Sequence, residues 1–323
     1  MTKKKKNYGG LIAVVALAVV LVLLKELHLV STSKLLILQY IGIYSIMVMG
    51  INIINGYMGT FSLAHAGFMA VGAYSSALIS RYVLTSQALF PLAMLLGGIV
   101  AALIGLLVAI PSFKSRGDYL AIITLGFTLM MQSILNNAEI VGASRGMTNL
   151  PKYTNIYFVY GTLVILIIVF QNFINSKYGR SIKAIREDHV ATELVSVDVK
   201  KAKTIAFAIS AFYIGISGAL LCHLLGYTSP SSYGYSNVVD GLVMVYIGGV
   251  GSITGSITGS IIWQLLVQTL KDLGTWRWVV GGLLLCVVMI FLPKGIFGYK
   301  EITDVWKEWK ARIANKKKEK EEK

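Results

Sequence analysis

Acidic residues are scarce in this chain, and the places that lack them are informative. Its 323 residues include 15 Asp and Glu against 30 Lys and Arg, a net charge of +15. Only Asp118 and Asp240 come near an apolar run, each at an end. Ion-coupled carriers usually place ionisable groups within the membrane, so this shortage weakens a self-powered mechanism; sodium held by backbone carbonyls stays open. Cys222 and Cys286 sit inside apolar runs without metal-ligand spacing. His28, His65, His189 and His223 are scattered, with no metal or nucleophile cluster. No G-x-x-x-x-G-K-[ST] loop occurs. We therefore expect no catalytic residues, no metal and no bound cofactor, and exclude an enzyme acting alone.

What the chain has instead is apolar length. It is 55% hydrophobic and 14% charged, with a mean hydropathy of +0.69. A bilayer core takes about 20 apolar residues per helix. Runs of that size recur near 9–29, 35–55, 63–81, 90–111, 118–136, 156–174, 204–227, 237–251, 253–270 and 278–292. They are continuous rather than alternating, which argues for helices and against a barrel. The expected fold is an all-α polytopic transmembrane bundle of about 10 spans. With a cytoplasmic N-terminus, 23 of the 30 Lys and Arg fall on the inner side and 7 on the outer, as orientation by positive charge requires. Both termini are then cytoplasmic, and the basic balance reflects loop orientation rather than nucleic acid. Lys3 to Lys6 precede an apolar run with no small-residue cleavage site after it, so that run reads as an uncleaved span. Trp276 and Trp278, beside Arg277, fit an interfacial belt at the outer end of the last span.

Residues 1–298 form the expected permeation domain, and 299–323 a basic amphipathic cytoplasmic tail. In the tail, Ile302, Val305, Trp306, Trp309 and Ile313 recur at helical spacing among Lys and Glu. The segment 175–203 stands apart. It carries Lys177, Arg180, Lys183, Arg186, Lys200, Lys201 and Lys203, yet Ile182, Ile185, His189, Leu194 and Val197 follow a helical pattern. It is too polar for lipid and too patterned for a linker, and reads as a cytoplasmic docking element.

Two glycine-rich stretches interrupt the apolar pattern. From Asn52 to Gly67, small and polar residues including Asn55, Gly56, Gly59, Ser62 and His65 predict broken helices near 55–65. Such breaks build substrate sites in transporters; the same residues also suit a tight turn capped by Ser62, and His65 suits either a pathway or a satisfied buried imidazole. Gly251, Gly255 and Gly259 fall four apart and predict one flat helix face for close packing. Ser252, Ser256 and Ser260 stand beside it for interhelical hydrogen bonds, and Gly97, Ala101 and Gly105 repeat the spacing in the fourth span.

Four segments, in order, resemble the LivM-type permease subunits of branched-chain amino acid ABC transporters. They are Asn52 to Tyr74 with its S-L-A-H-A-G-F core, Arg116 to Gly126, Gly179 to Asp188, and Ser229-Pro230 followed by Met244 to Gly259. The resemblance implies a helical permease of the type shared with ribose and vitamin B12 importers, in a prokaryotic inner membrane. It implies a related second permease, two cytoplasmic ATPase subunits carrying ATP and Mg, and an external solute-binding protein. It also implies a coupling helix within Arg180 to Val197, with Arg180, Lys183, Arg186, Glu187 and Asp188 on its polar side and Ala191 and Leu194 packing. Ser196 departs from the glycine that related sequences place after this helix. The substrate pathway would include Asn55, Ser62 and His65. The expected cargo is leucine, isoleucine or valine; urea, amides, nucleosides or sugars within the same architecture, an ion-coupled secondary transporter, or a membrane scaffold whose tail recruits partners are the alternatives.

Overall fold

The computed structural model describes residues 31–83, 86–112, 118–270, 274, 276–291, 295–296 and 298. The expected first span at 9–29 and the tail 299–323 lie outside them, as do the side chains of Arg277 and Trp278 and of Asp118, where a helix begins. Within the described residues the chain is helical. It forms α1 (Thr32–Asn52), α2 (His65–Tyr82), α3 (Phe90–Ser112), α4 (Asp118–Asn137), α5 (Ile156–Asn175), α6 (Lys177–Glu187), α7 (His189–Leu194), α8 (Val199–Leu225), α9 (Tyr235–Gly248), α10 (Ile253–Thr269) and α11 (Trp276–Phe291).

Among the described residues, five stretches are long and apolar enough to cross a bilayer: Thr32–Tyr57, Gln87–Pro111, Tyr119–Asn137, Ile156–Asn175 and Val199–Leu225. On α3, Leu103, Leu107 and Ile110 are exposed to the surroundings, the side chains a lipid-facing surface requires. Helices α9, α10 and α11 have 14, 17 and 16 residues. At 1.5 Å per residue, α9 reaches about 21 Å, short of a core about 30 Å thick. Among the described residues the protein is thus an all-helical membrane bundle that combines long apolar helices with shorter ones.

Helix α8 forms the centre, packed against α1, α2 and α3. Lipid and leucine are equally apolar, so close contact between small residues, rather than water exclusion, holds such helices together. A Cβ added to Gly72 would overlap the backbone of Gly215. One added to Gly105 would lie 2.7 Å from the Ala211 side chain. One polar group in this centre, His223, is held on both sides of its ring. His223 donates from Nδ1 to the Pro151 carbonyl at 2.9 Å and accepts at Nε2 from Ser76 and Ser80 at 3.3 and 3.2 Å. Phe90 and Tyr153 flank its ring.

One expectation fails. Gly251 lies outside α10, in the turn that follows α9, with φ of +84°. Its N–H is held by Asn52 Oδ1 at 2.7 Å, and Ser252 caps the helix by accepting from Gly255 N–H at 3.1 Å. The helix therefore starts too late to include Gly251. Gly255 and Gly259 remain within it, against the backbone of Gly248.

Candidate functional site

The break after α1 is built from the backbone outward. The helix widens into a π turn, Ile53–Tyr57, and Met58 N–H reaches Ile53 O at 3.0 Å. Gly59 then turns at φ +70°, a conformation that costs a residue with a Cβ about 1–2 kcal/mol. Asn55 closes the loop on itself: its Nδ2 donates to Ser62 O at 3.3 Å and its Oδ1 accepts Ser62 N–H at 3.1 Å. From α4, Thr124 Oγ1 accepts Leu63 N–H at 2.9 Å and Thr128 Oγ1 donates to Leu63 O at 2.8 Å. The N-cap of α2 is Ala64 rather than Ser62; Ser62 Oγ instead accepts Ala64 N–H at 3.4 Å.

Asn52 ties this break to a second one. Its Nδ2 donates to Ser256 Oγ at 2.8 Å and to Ser252 O at 2.9 Å, while its Oδ1 holds Gly251. The end of α1 is thereby fastened to the turn between α9 and α10. His65 joins the same region: Nε2 lies 3.0 Å from Val238 O. A carbonyl only accepts, so Nε2 carries the proton and Nδ1, buried, has no partner. Gly241 makes room, since a Cβ there would stand 2.7 Å from His65 Nε2.

The sequence-derived pathway residues Asn55, Ser62 and His65 do come together. They line a cavity of about 10 Å³ with Ile54, Phe68 and Ser210. That is room for about one water. A much larger cavity, about 530 Å³, opens between the starts of α1 and α9 and the end of α10.

The basic segment expected to hold one coupling helix contains two, α6 and α7. Ser176 caps α6, accepting from Gly179 N–H at 3.3 Å, and Asp188 caps α7, accepting from Val190 and Ala191 N–H at 2.8 and 3.1 Å. Ile182 and Ile185 are buried and anchor α6. On the other side Arg180, Glu187, Asp188 and Ala191 are exposed, and Val190, Leu194 and Val195 are 58%, 81% and 71% exposed. Ser196 adopts the left-handed conformation, φ +60°, despite its side chain.

Arg186 turns inward instead of joining the polar surface. Its Nη1 donates to Gly56 O at 3.4 Å, its Nη2 pairs with Glu187 at 2.7 Å, and its stem lies against Gly59. Lys183 sits over the Tyr57 ring. The segment thus touches the broken end of α1 directly. From sequence, Asn52 reads only as the start of the broken stretch and Asp240 only as an acid at the end of an apolar run, while Thr124, Thr128 and Asn237 are not singled out. An uncharged amide inside the apolar α1 was the available signal for Asn52.

A family described as branched-chain amino acid transport system / permease component matches residues 34–293. The permease protein LivM of Escherichia coli is 29% identical over 290 residues, 79% of this chain and 67% of the relative. LivH of Salmonella typhimurium is 24% identical over 294 residues, covering 81% and 93%. BraD of Pseudomonas aeruginosa is 23% identical over 292 residues, covering 81% and 94%. No solved structure matches significantly.

Proposed function

As the chain belongs to the family of permease components of branched-chain amino acid transport systems, and is a non-catalytic membrane subunit of an ABC importer, we propose that it forms one half of the import route for leucine, isoleucine and valine. A related second permease forms the other half; likeness to both LivM and LivH supports this. Two ATPase subunits, carrying ATP and Mg, dock on α6 and α7 from the cytoplasm, and an external solute-binding protein delivers the cargo. The chain crosses the prokaryotic inner membrane about ten times, with both termini inside.

One observation carries the docking assignment: apolar Val190, Leu194 and Val195 stand exposed on a segment whose charges keep it out of lipid. Exposed apolar surface of that kind marks a partner site. Arg180 and Lys183 steer the approach electrostatically. Force applied there reaches the small cavity at Asn55, Ser62 and His65 through Arg186, because Arg186 holds the backbone of the break.

Copurification tests the reading. ATPase subunits should accompany the wild-type chain in detergent, and Leu194→Asp with Val190→Asp should abolish most of that recovery while leaving the second permease bound. Full recovery of ATPase subunits with the double variant would remove the assignment.

A further inference from the structure

Opposite the basic helices, the bundle ends in an ordered platform. Helix α5 runs from Ile156 to Asn175 and α6 follows at Lys177, so the connection before α5 lies about 30 Å from α6. The turn after α8 is equally remote, because α8 starts at Val199 just beyond α7 and ends at Leu225.

Two connections meet there. Residues 138–155, between α4 and α5, form short 3-10 turns at Glu139–Val141 and Ala143–Arg145, and residues 226–234, between α8 and α9, form another at Pro230–Tyr233. Met147 N–H donates to Thr228 O at 2.9 Å, Thr228 N–H returns to Met147 O at 3.0 Å, and Leu150 N–H reaches Gly226 O at 2.9 Å. Gly146 lets the two strands meet, since a Cβ there would overlap Thr228 O. Ala143 holds a left-handed backbone, φ +47°, at a cost of about 1–2 kcal/mol. The shape of the platform is therefore set by its backbone bonds.

This framework exposes both apolar and basic groups. Ile140, Tyr227 and Tyr235 are 80%, 40% and 63% exposed. Arg145 is exposed on the same connection as Ile140, and the stem of exposed Lys152 lies against Gly226, next to Tyr227. Neither forms an ion pair among the described residues. Lys34 and Arg81 are exposed at the same end of α1 and α2, and Glu139 is the one exposed acid there among the described residues. Ser231, Ser232 and Ser236 are exposed and line the cavity of about 530 Å³, so that cavity opens onto the platform.

We propose that this platform is the seat of the external solute-binding protein, which meets it with an acidic, partly apolar face and discharges cargo into the adjoining cavity. This rests on the importer reading above and deepens it by naming the contact. Lys34, Arg81, Arg145 and Lys152, against Glu139, attract a face that bears carboxylates. Ile140, Tyr227 and Tyr235 supply apolar contact, and a preformed framework lowers the ordering cost of association.

The test uses the complete transporter in vesicles, with the purified, leucine-loaded binding protein of the same system outside. Arg145→Glu with Lys152→Glu should raise the binding-protein concentration for half-maximal uptake about tenfold or more, while ATPase subunits and the second permease copurify as in the wild type. Ile140→Ser should raise it in the same direction. Added salt should raise the wild-type value and move that of the charge-reversed variant less. An unchanged value in the charge-reversed variant overturns the platform assignment and leaves the importer reading intact. Wild-type uptake that does not depend on the binding protein overturns both. A second measurement avoids charge reversal: Thr148→Cys, at an exposed position, is placed in a Cys286→Ser background, where Cys222 is buried, and reacted with an impermeant thiol reagent. The loaded binding protein should slow labelling. Equal labelling with and without it, as a face set against lipid headgroups would give, removes the proposal.

Discussion

Asn52→Ala should destabilise the protein more than any one of its hydrogen bonds suggests, because it releases two breaks at once. Asn52 is fully buried, with Nδ2 bonds to Ser256 Oγ at 2.8 Å and Ser252 O at 2.9 Å. Side-chain bonds between membrane helices contribute about 0.6 kcal/mol each on average, and up to about 1.7. Losing Oδ1 has a different effect: Gly251 N–H, held at 2.7 Å, becomes a buried donor without a partner, costing about 1–3 kcal/mol. Together these give about 2–4 kcal/mol. At about 2 °C per kcal/mol for a chain of this size, the thermal transition in detergent should fall by roughly 4–8 °C. Ser256→Ala is the control. It removes one acceptor but leaves the Ser252 and Gly251 bonds, and should lower the transition by no more than about 2 °C. A change under 1 °C for Asn52→Ala, or equal damage from Ser256→Ala, would refute the idea that Asn52 fastens α1 to the turn before α10.

Gly59→Ala joins a left-handed backbone, φ +70°, to a Cβ directed into the Arg186 stem. Uptake should fall at least tenfold while ATPase subunits still copurify, because docking survives and the link to the break does not; unchanged uptake would separate Arg186 from coupling. His223→Phe removes the acceptor for Ser76 and Ser80 and the donor for Pro151. It should lower stability by about 1–3 kcal/mol in thermal unfolding, with the KM for uptake unchanged; a raised KM would place His223 in the route.

The helices themselves were readable because apolar runs have only one way to satisfy their backbone in lipid. Expected runs such as 90–111 and 156–174 became Phe90–Ser112 and Ile156–Asn175. The break near 55–65 was readable too, from its glycines and polar residues. What the sequence left open was the partner of each polar group. Asn52 meets residues about 200 positions away, and no local pattern encodes that. Gly251, Gly255 and Gly259 share a spacing, but whether a helix begins before or after the first of them depends on who takes the Gly251 N–H. Arg186 belongs to a charged helix, so it read as surface; its guanidinium reaches inward because Gly59 leaves space for its stem and the Gly56 carbonyl accepts its Nη1. Asp188 read as a surface charge; it is exposed, and as the cap of α7 it also divides the basic segment into two helices. Asn237 and Asp240 lay at the edge of an apolar run, and only the packing of α1 and α10 around them turns that edge into a cavity.

The central claim is that this chain is a passive route driven by subunits it does not encode. Leucine uptake into vesicles, measured with the permease pair alone and then with the ATPase subunits, binding protein and internal ATP, tests it most directly. Accumulation is predicted only in the complete, ATP-loaded system; accumulation by the permease pair under a sodium or proton gradient, without ATPase subunits, would contradict it.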